Sequence, residues 1–210
     1  AKSNEITFAD RFSFCAINSD EYLRSNEKIK IAQGFYNDTY LFDQNACTAP
    51  HLITWIGDEK SSNEASIIFW NNIETLTSKR YTIEPIQIMD KLVSAARFSA
   101  SNPDAKLVKT PDNKIFRFKL PSMQLNLEDF KSHSGLFYEV TLQKLDELVV
   151  FISNNYQTMT YFGFAPSELN KFTSSLNLKG IDRVVPIGGS LDFSFIWDGH
   201  DLINALSRKV

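Results

Sequence analysis

Short apolar runs alternate with longer amphipathic stretches along most of the chain. Two of the runs, RFSFCAI at 11–17 and HLITWIG at 51–57, carry apolar residues on both faces over a short length. That pattern is typical of strands covered on both sides of a sheet. Two more runs with strand character, GLFYEV at 135–140 and TMTYFGF at 158–164, follow in the second half.

Helical spacing marks the stretches between these runs. The stretch 23–36 predicts one helix, and 61–80 predicts another, in which Ser61 and Glu64 have the spacing of a capping box. A third is predicted to begin at Pro85, a residue favoured in the first turn. The predicted inward faces are Ala65, Phe69, Ile73 and Leu76 in the second helix, and Ile86, Met89, Val93 and Ala96 in the third.

The remaining stretches predict a hairpin and two more helices. KLVK at 106–109 and KIFRFKL at 114–120 flank the turn residues TPDN, and the second run alternates, which predicts a hairpin with one wet face. Thr141 is the predicted N-cap of a helix reaching residue 154, and a short helix is predicted over 166–176. Strand–helix–strand alternation predicts an α/β fold, with a mainly parallel sheet, flanking helices and the hairpin as an insertion or antiparallel edge.

Composition excludes several classes of function. The net charge is −3 and no long basic run occurs, so nothing indicates a nucleic-acid partner. No apolar stretch approaches the ~20 residues of a membrane span, and the first residues lack the apolar core of a signal peptide. Neither the two cysteines nor His51, His133 and His200 have metal-ligand spacing, so no zinc site is predicted. A reducing cytoplasm is the expected location.

The candidate for chemistry is Cys47, in the polar turn DQNACTAP that precedes the run 51–57. Sites in α/β folds gather in loops outside the strand ends, and a nucleophilic cysteine reacts as its thiolate. His51, four residues on, is an auxiliary candidate, or it is simply a polar residue at the start of a strand. Cys47 itself is either a nucleophile or a small buried residue beside a loop. Cys15, within a strand pattern, is predicted to be a core residue.

Other polar clusters carry weaker signals. Gly188 and Gly189 predict a tight turn near Arg183, without the spacing of a dinucleotide-binding loop. Trp197 beside Asp198 and His200 could line a pocket, cap a core or meet a partner subunit, and His133 is predicted on an exposed loop. No two of the remaining candidate carboxylates have a diagnostic spacing; these are Asp43, Asp182, Asp192, Asp198 and Asp201.

The turn DQNACTAP resembles the catalytic-cysteine loop of the aldehyde dehydrogenase superfamily. The segment 144–164 is similar to the later helix-to-strand part of those enzymes, and GIDRVVPIGGSLDFSFIWDGHDLINALSRKV to their glycine-pair C-terminal segment. Within the superfamily, DRVVPIG, LDFSFIWDG and LSRKV resemble one branch, the LuxC family of long-chain acyl-CoA reductases from the bacterial luminescence pathway. The resemblance covers most of the chain.

This resemblance implies a reaction and roles. A cysteine thiolate would take a long-chain acyl group from acyl-CoA or from an acylated synthetase subunit, and hydride from NADPH would release a fatty aldehyde for bioluminescence. Cys47 would be the nucleophile, its own N–H would help to hold the oxyanion, and Gln44 and Asn45 would shape the loop. A homo-oligomer within a fatty-acid reductase complex is expected.

Two departures from the superfamily pattern qualify that expectation. Thr7 and Phe8 stand where aldehyde-oxidising members carry a water-activating Glu, and Glu5 is out of register. The lack of that Glu suits a reductase, because activated water would hydrolyse the acyl thioester before hydride arrives. The residue that often grips the cofactor ribose has no clear counterpart, since Glu139 is also out of register.

The chain is also much shorter than full-length members of the superfamily. It is therefore expected to be their C-terminal catalytic part, with residues 1–165 as the cysteine domain and 166–210 as a segment that packs on a missing cofactor half or a partner subunit. An idle α/β interaction module and a thiol acyltransferase remain alternatives.

Overall fold

The computed structural model describes residues 5–6, 11–124, 126–174, 180–197 and 199–207. The main strands are β1 (Phe12–Asn18), β2 (Pro50–Ile56), β3 (Lys106–Lys109), β4 (Phe116–Lys119), β5 (Leu136–Leu142), β6 (Tyr156–Phe162) and β7 (Arg183–Pro186). They form one sheet in the order β3-β4-β5-β2-β1-β6-β7, and every neighbouring pair except β3–β4 is parallel. The predicted mainly parallel α/β fold is confirmed, and the predicted hairpin is its antiparallel edge.

Helices cover both faces of this sheet. They are α1 (Ser19–Arg24), α2 (Lys28–Tyr40), α3 (Glu59–Arg80), α4 (Pro85–Ser101), α5 (Pro166–Ser174) and α6 (Leu202–Leu206), with 3₁₀ helices at Leu127–Phe130 and Leu145–Phe151. A small hairpin joins β8 (Ile196–Trp197) to β9 (His200–Asp201). Within the described ranges, no helix has the length and apolar character needed to cross a membrane.

The core consists of two apolar layers, one on each face of the sheet. Side chains alternate along β1, so Phe14 enters one layer with Phe98 of α4, while Cys15 enters the other with Phe35 of α2 and Phe69 of α3. All of these side chains are fully buried. Burial on both faces explains why β1 carries apolar residues on both faces rather than on alternate positions only.

The inward face predicted for α4 is wrong. Its apolar stripe faces solvent, while the residues that pack inward include a lysine; the exposed set is Ile86, Met89, Val93 and Ala96, and the buried set is Lys91, Ala95 and Phe98. The Nζ of Lys91 donates to the carbonyl oxygens of Asn113 and Ser134, both at 2.6 Å. These bonds satisfy the buried amine, and burial lowers its pKa to about 7. Hydrophobic periodicity does not show which carbonyl groups will accept hydrogen bonds from a buried lysine, so it assigned the wrong face.

Three other local predictions also fail. The single helix predicted over 23–36 is two, because α1 ends at Arg24 and α2 begins at Lys28. The cap of α3 is Asp58, whose side chain accepts from the backbone N–H of Ser61, rather than the box predicted at Ser61. Thr141 caps no helix, because it pairs with Trp55 in the parallel β2–β5 ladder.

Candidate active site

Cys47 lies in the loop that connects the end of α2 to the start of β2. The helix closes through two successive left-handed residues, Asp43 (φ 51°) and Gln44 (φ 61°). Their backbone N–H groups donate to the carbonyls of Tyr40 at 3.2 Å and Thr39 at 2.6 Å, which are left unpaired where a helix stops. This reversal directs the chain to the amino end of β2.

The side chain of Gln44 fixes this loop to the sheet. Its Nε2 donates to the carbonyl oxygens of Pro50 and Leu136, both at 3.0 Å. Its Oε1 accepts from the backbone N–H groups of Gly135 at 2.9 Å and Leu136 at 3.1 Å. Gln44 is buried with its hydrogen-bonding capacity filled, so it positions the loop between β2 and β5 and does not contact a ligand.

Cys47 lines an apolar cleft of about 450 Å³, which we call the Cys47 cleft. Its lining comes from the loop and from the C-terminal segment, and consists of Phe42, Asn45, Ala46, Cys47, Thr48, Leu191 and Trp197. Cys47 is half-buried, whereas Cys15 is completely buried and burial raises the pKa of its thiol to about 12. Of the two cysteines, only Cys47 is placed to react.

The backbone of Cys47 is held through its carbonyl, while its N–H has no acceptor in the described part of the chain. The Oγ of Ser13 donates to the carbonyl oxygen of Cys47 at 2.7 Å and accepts from the N–H of Thr158 at 3.1 Å. Among the described residues, none accepts the backbone N–H of Cys47. That N–H is therefore available to an oxyanion formed at the thiol.

His51 lies inside β2 and does not line the Cys47 cleft. Its ring stacks on Phe12 with 5.6 Å between centroids. Burial, followed by the nearby positive charges of Lys131 and His133, lowers its pKa to about 3, so the imidazole is neutral. Neither ring nitrogen has a hydrogen-bond partner in the part of the chain that the structure describes.

Asn45 is exposed, and its side-chain amide donates to the carbonyl oxygen of Asp43 at 3.3 Å. It lines the Cys47 cleft beside the thiol. Thr7, Phe8 and Asp198 lie outside the described residues, and Glu5 is exposed.

Glu139 is buried on the sheet face beneath α3, where its carboxylate is filled by protein donors. Oε2 accepts from Trp55 Nε1 at 2.9 Å and from Ser66 Oγ and Trp70 Nε1 at 2.6 Å, and Oε1 accepts from Arg117 at 3.0 Å. We call these residues the Glu139 cluster. It is an ion pair with two tryptophans whose carboxylate is filled by protein donors, and it lies at a polar cleft of about 760 Å³ that Glu139, Trp55 and Ser66 help to line. Where the chain is described, no three His, Cys, Asp or Glu side chains gather as metal ligands.

Three features of the cleft were not recognised from sequence. Phe42 and Leu191 were not singled out, because apolar residues in loops carry no periodic signal. The third is Asp38, in the last turn of α2, which is fully buried beside the Gly188 turn. A carboxylate at a helix C-terminus is electrostatically unfavourable, and that local conflict was a usable signal.

Comparison with solved structures identifies the fold as that of the aldehyde dehydrogenases. A putative methylmalonate-semialdehyde dehydrogenase from Sinorhizobium meliloti, solved with NAD, matches 94% of this chain and 46% of its own with a TM-score of 0.62 at 10% identity. A 1-pyrroline-5-carboxylate dehydrogenase variant from Thermus thermophilus matches 93% of this chain and 42% of its own, with a TM-score of 0.58 at 9% identity.

The family is narrower than the fold. The family model described as "Acyl-CoA reductase (LuxC)" matches residues 1–209, and the chain belongs to that family. The long-chain acyl-protein thioester reductase of Vibrio harveyi is 23% identical over 182 residues, which are 85% of this chain and 36% of that protein. The chain therefore spans about a third of that relative's length.

Proposed function

We propose that Cys47 is the acyl-accepting nucleophile of a reductase that converts long-chain acyl thioesters to fatty aldehydes. The observation that carries the proposal is the half-buried thiol of Cys47 at an apolar cleft, with its own N–H directed to no described acceptor. An apolar cleft suits the hydrocarbon part of an acyl thioester. Family membership supports the same reaction class.

In the acylation step the thiolate of Cys47 attacks the carbonyl carbon of the acyl thioester. The carbonyl oxygen takes up the negative charge, and the backbone N–H of Cys47 donates to it. The adduct collapses by breaking the bond to the sulfur of coenzyme A, which leaves as a thiolate and takes a proton from water. The acyl group then forms a thioester with Sγ of Cys47 and has been neither oxidised nor reduced.

Reduction requires a hydride donor that the Cys47 cleft does not fit. No lysine or arginine is among the described residues that line the cleft, so the phosphates of a dinucleotide would have no charge partner there. We propose that the NADPH site lies in a part of the protein outside this chain. The Vibrio harveyi relative is nearly three times as long as the segment that matches this chain, which leaves room for such a site. On this proposal the chain alone accepts acyl groups but makes no aldehyde.

The biological setting is part of the same proposal. The acyl donor would be acyl-CoA or an acylated synthetase subunit, and the aldehyde would supply bacterial bioluminescence. The division into 1–165 and 166–210 stays a prediction, although β7, from the second part, pairs with β6 of the main sheet.

Acyl transfer is the direct test. Incubation with radiolabelled tetradecanoyl-CoA should leave one label per chain that hydroxylamine removes, since hydroxylamine cleaves thioesters. Cys47→Ser should lose that label, while the matched Cys15→Ser should keep it. A label that follows Cys15, or that survives the loss of both thiols, would contradict the assignment.

An interaction module is the second candidate, favoured by the exposed stripe of α4 at Ile86, Met89 and Val93. Thiol reactivity separates the two. A nucleophilic Cys47 should react with iodoacetamide near neutral pH faster than free cysteine does, and tetradecanoyl-CoA should protect it. A slow, unprotected thiol would favour the interaction module.

A further inference from the structure

The far wall of the Cys47 cleft is carried by a turn that docks on α2. Gly188 has φ +96°, and its Cα would lie 3.1 Å from a Cβ placed on Gly34. The same added Cβ would meet the carbonyl oxygen of Ile187 at 3.0 Å, tighter than most real contacts allow. Two glycines are needed here because the backbones of helix and turn touch.

One helical turn after Gly34, Asp38 completes the docking. Its carboxylate accepts the backbone N–H groups of Gly188 at 2.6 Å and Ser190 at 3.0 Å. Asp38 is 2% exposed, so its ionised form carries a cost of desolvation that these two donors offset only in part. A carboxylate can accept from both donors, whereas an Asn would direct its NH₂ group at one of them.

Arg183 of β7 extends the turn to the wall itself. Its guanidinium donates to the carbonyl oxygens of Ser190 at 2.6 Å and Gly189 at 3.0 Å. The same group lies over the indole of Trp197, 5.3 Å from the ring centroid. Leu191, next to Ser190, and Trp197 are the two cleft residues contributed by this segment.

Helix α2 thus connects both sides of the cleft, because its last residue, Tyr40, is followed directly by the loop that carries Cys47. We propose that Asp38 is a positioning residue for the acyl cleft: it fixes the Gly188–Ser190 backbone to α2 and so sets the distance of Leu191 and Trp197 from the thiol of Cys47. The inference deepens the proposed function and depends on it only for the identity of the ligand.

This role predicts a selective defect. Replacing Asp38 should displace the apolar wall and leave the loop at Cys47 in place, because Gln44 and Ser13 hold that loop independently. Capture of a long apolar chain should suffer, while attack on a small reagent should not. Loss of stability alone would lower both rates together.

The first experiment measures two rates on Cys47 in a Cys15→Ser background of the 210-residue chain. Asp38→Asn should lower the rate of acylation by tetradecanoyl-CoA by about tenfold, through a higher half-saturating concentration, and change alkylation by iodoacetamide by less than about twofold. Gly34→Ala, which pushes on the same turn without touching the carboxylate, should give the same selectivity. Equal losses in both rates for both variants would overturn the proposal.

A second series makes the test independent of acyl chemistry. Methyl and decyl methanethiosulfonate both transfer a thioalkyl group to a cysteine, so their rate ratio measures how well the cleft holds a chain. The ratio should fall in Asp38→Asn and Gly34→Ala, and stay unchanged in Glu139→Gln, a matched loss of a buried carboxylate in the Glu139 cluster. If the wild-type protein accepts no acyl group but the decyl-to-methyl rate ratio falls in Asp38→Asn and Gly34→Ala, the positioning role of Asp38 is supported and the proposed reaction is contradicted. A rate ratio that stays constant in these two variants would overturn the positioning role.

Discussion

The Glu139 cluster and the Cys47 cleft both bury polar groups, but they differ in whether protein partners fill the hydrogen bonds of those groups. In the cluster, each oxygen of Glu139 is met by a donor from α3, β2 or β4. In the cleft, the loop is fixed by Gln44 and Ser13, while Cys47 lines the cavity and its N–H has no acceptor among the described residues. Satisfied polar groups stabilise a fold, whereas a site needs positioned groups whose partners are still missing.

The largest expected effect tests whether the Glu139 cluster is purely structural. Glu139→Ala should lower the free energy of unfolding by about 3–5 kcal/mol, because Arg117 and two indole N–H groups stay buried without an acceptor. Urea unfolding measures the change. Under native conditions, the iodoacetamide rate of Cys47 should stay the same. A changed rate would mean that the two regions are coupled.

Gln44 allows the corresponding test on the cleft. Gln44→Met keeps the length of the side chain and removes the amide, so Gly135 and Leu136 lose their acceptor. We expect a loss of about 2–3 kcal/mol in stability and, unlike at Glu139, an altered alkylation rate of Cys47.

The control for that change is Asn45→Ala, next along the loop, whose exposed amide makes one hydrogen bond at 3.3 Å. It should cost less than about 0.5 kcal/mol. Equal effects of the two variants on stability would show that burial of the Gln44 amide contributes nothing.

The sequence predicts the order of strands and helices better than the residues that surround the site. Strands β1 and β2 are recognisable because their runs carry apolar residues on both faces, and Cys47 is a candidate because of its place in a polar turn. Asp38 and Gly188 meet across 150 positions, and no local pattern in one sequence contains that pairing. Periodicity also gave the wrong inward face for α4, because the buried amine of Lys91 finds two carbonyl acceptors that only the folded chain brings together.

His51 differs from the Glu139 cluster, since it is a buried polar group without a partner in the described part of the chain. Its pKa falls from about 6.5 to about 3 on folding, so the unfolded chain takes up a proton first as the pH falls. Its contribution to stability is complete above about pH 6.5 and declines by up to about 1.4 kcal/mol per pH unit between there and about pH 3.

His51→Leu removes this dependence and leaves no orphaned nitrogen. The variant should match or exceed wild-type stability at pH 7, and its advantage should widen by about 2 kcal/mol at pH 5. Urea titrations at the two pH values measure the difference. A constant difference between the proteins would show that His51 reaches water or a partner when it is protonated.

The contribution of Asp38 to stability should change with pH in the opposite direction to that of His51. Asp38 lies beside the buried thiol of Cys15 and the carboxylate of Asp192. Burial raises its pKa to about 6 despite the bonds from Gly188 and Ser190. The folded state therefore holds a proton more tightly than the unfolded state, so wild type should gain stability relative to Asp38→Asn as the pH falls from about 7 to about 4. A relative loss over that range would show that the ionised carboxylate is the favoured form in the fold.

A smaller effect than at Gln44 is expected at Ser13, which joins the backbone of Cys47 to that of β6. Ser13→Ala removes a donor to the carbonyl of Cys47 and an acceptor for the N–H of Thr158, and should cost about 1–2 kcal/mol. Thr54→Val is the matched control, because that buried hydroxyl donates at 3.1 Å to the carbonyl of Cys15, away from the loop. Only Ser13→Ala should alter acylation of Cys47, because only that hydroxyl sets the height of the loop above the sheet. Equal acylation rates in the two variants would leave Gln44 as the sole anchor of the nucleophile.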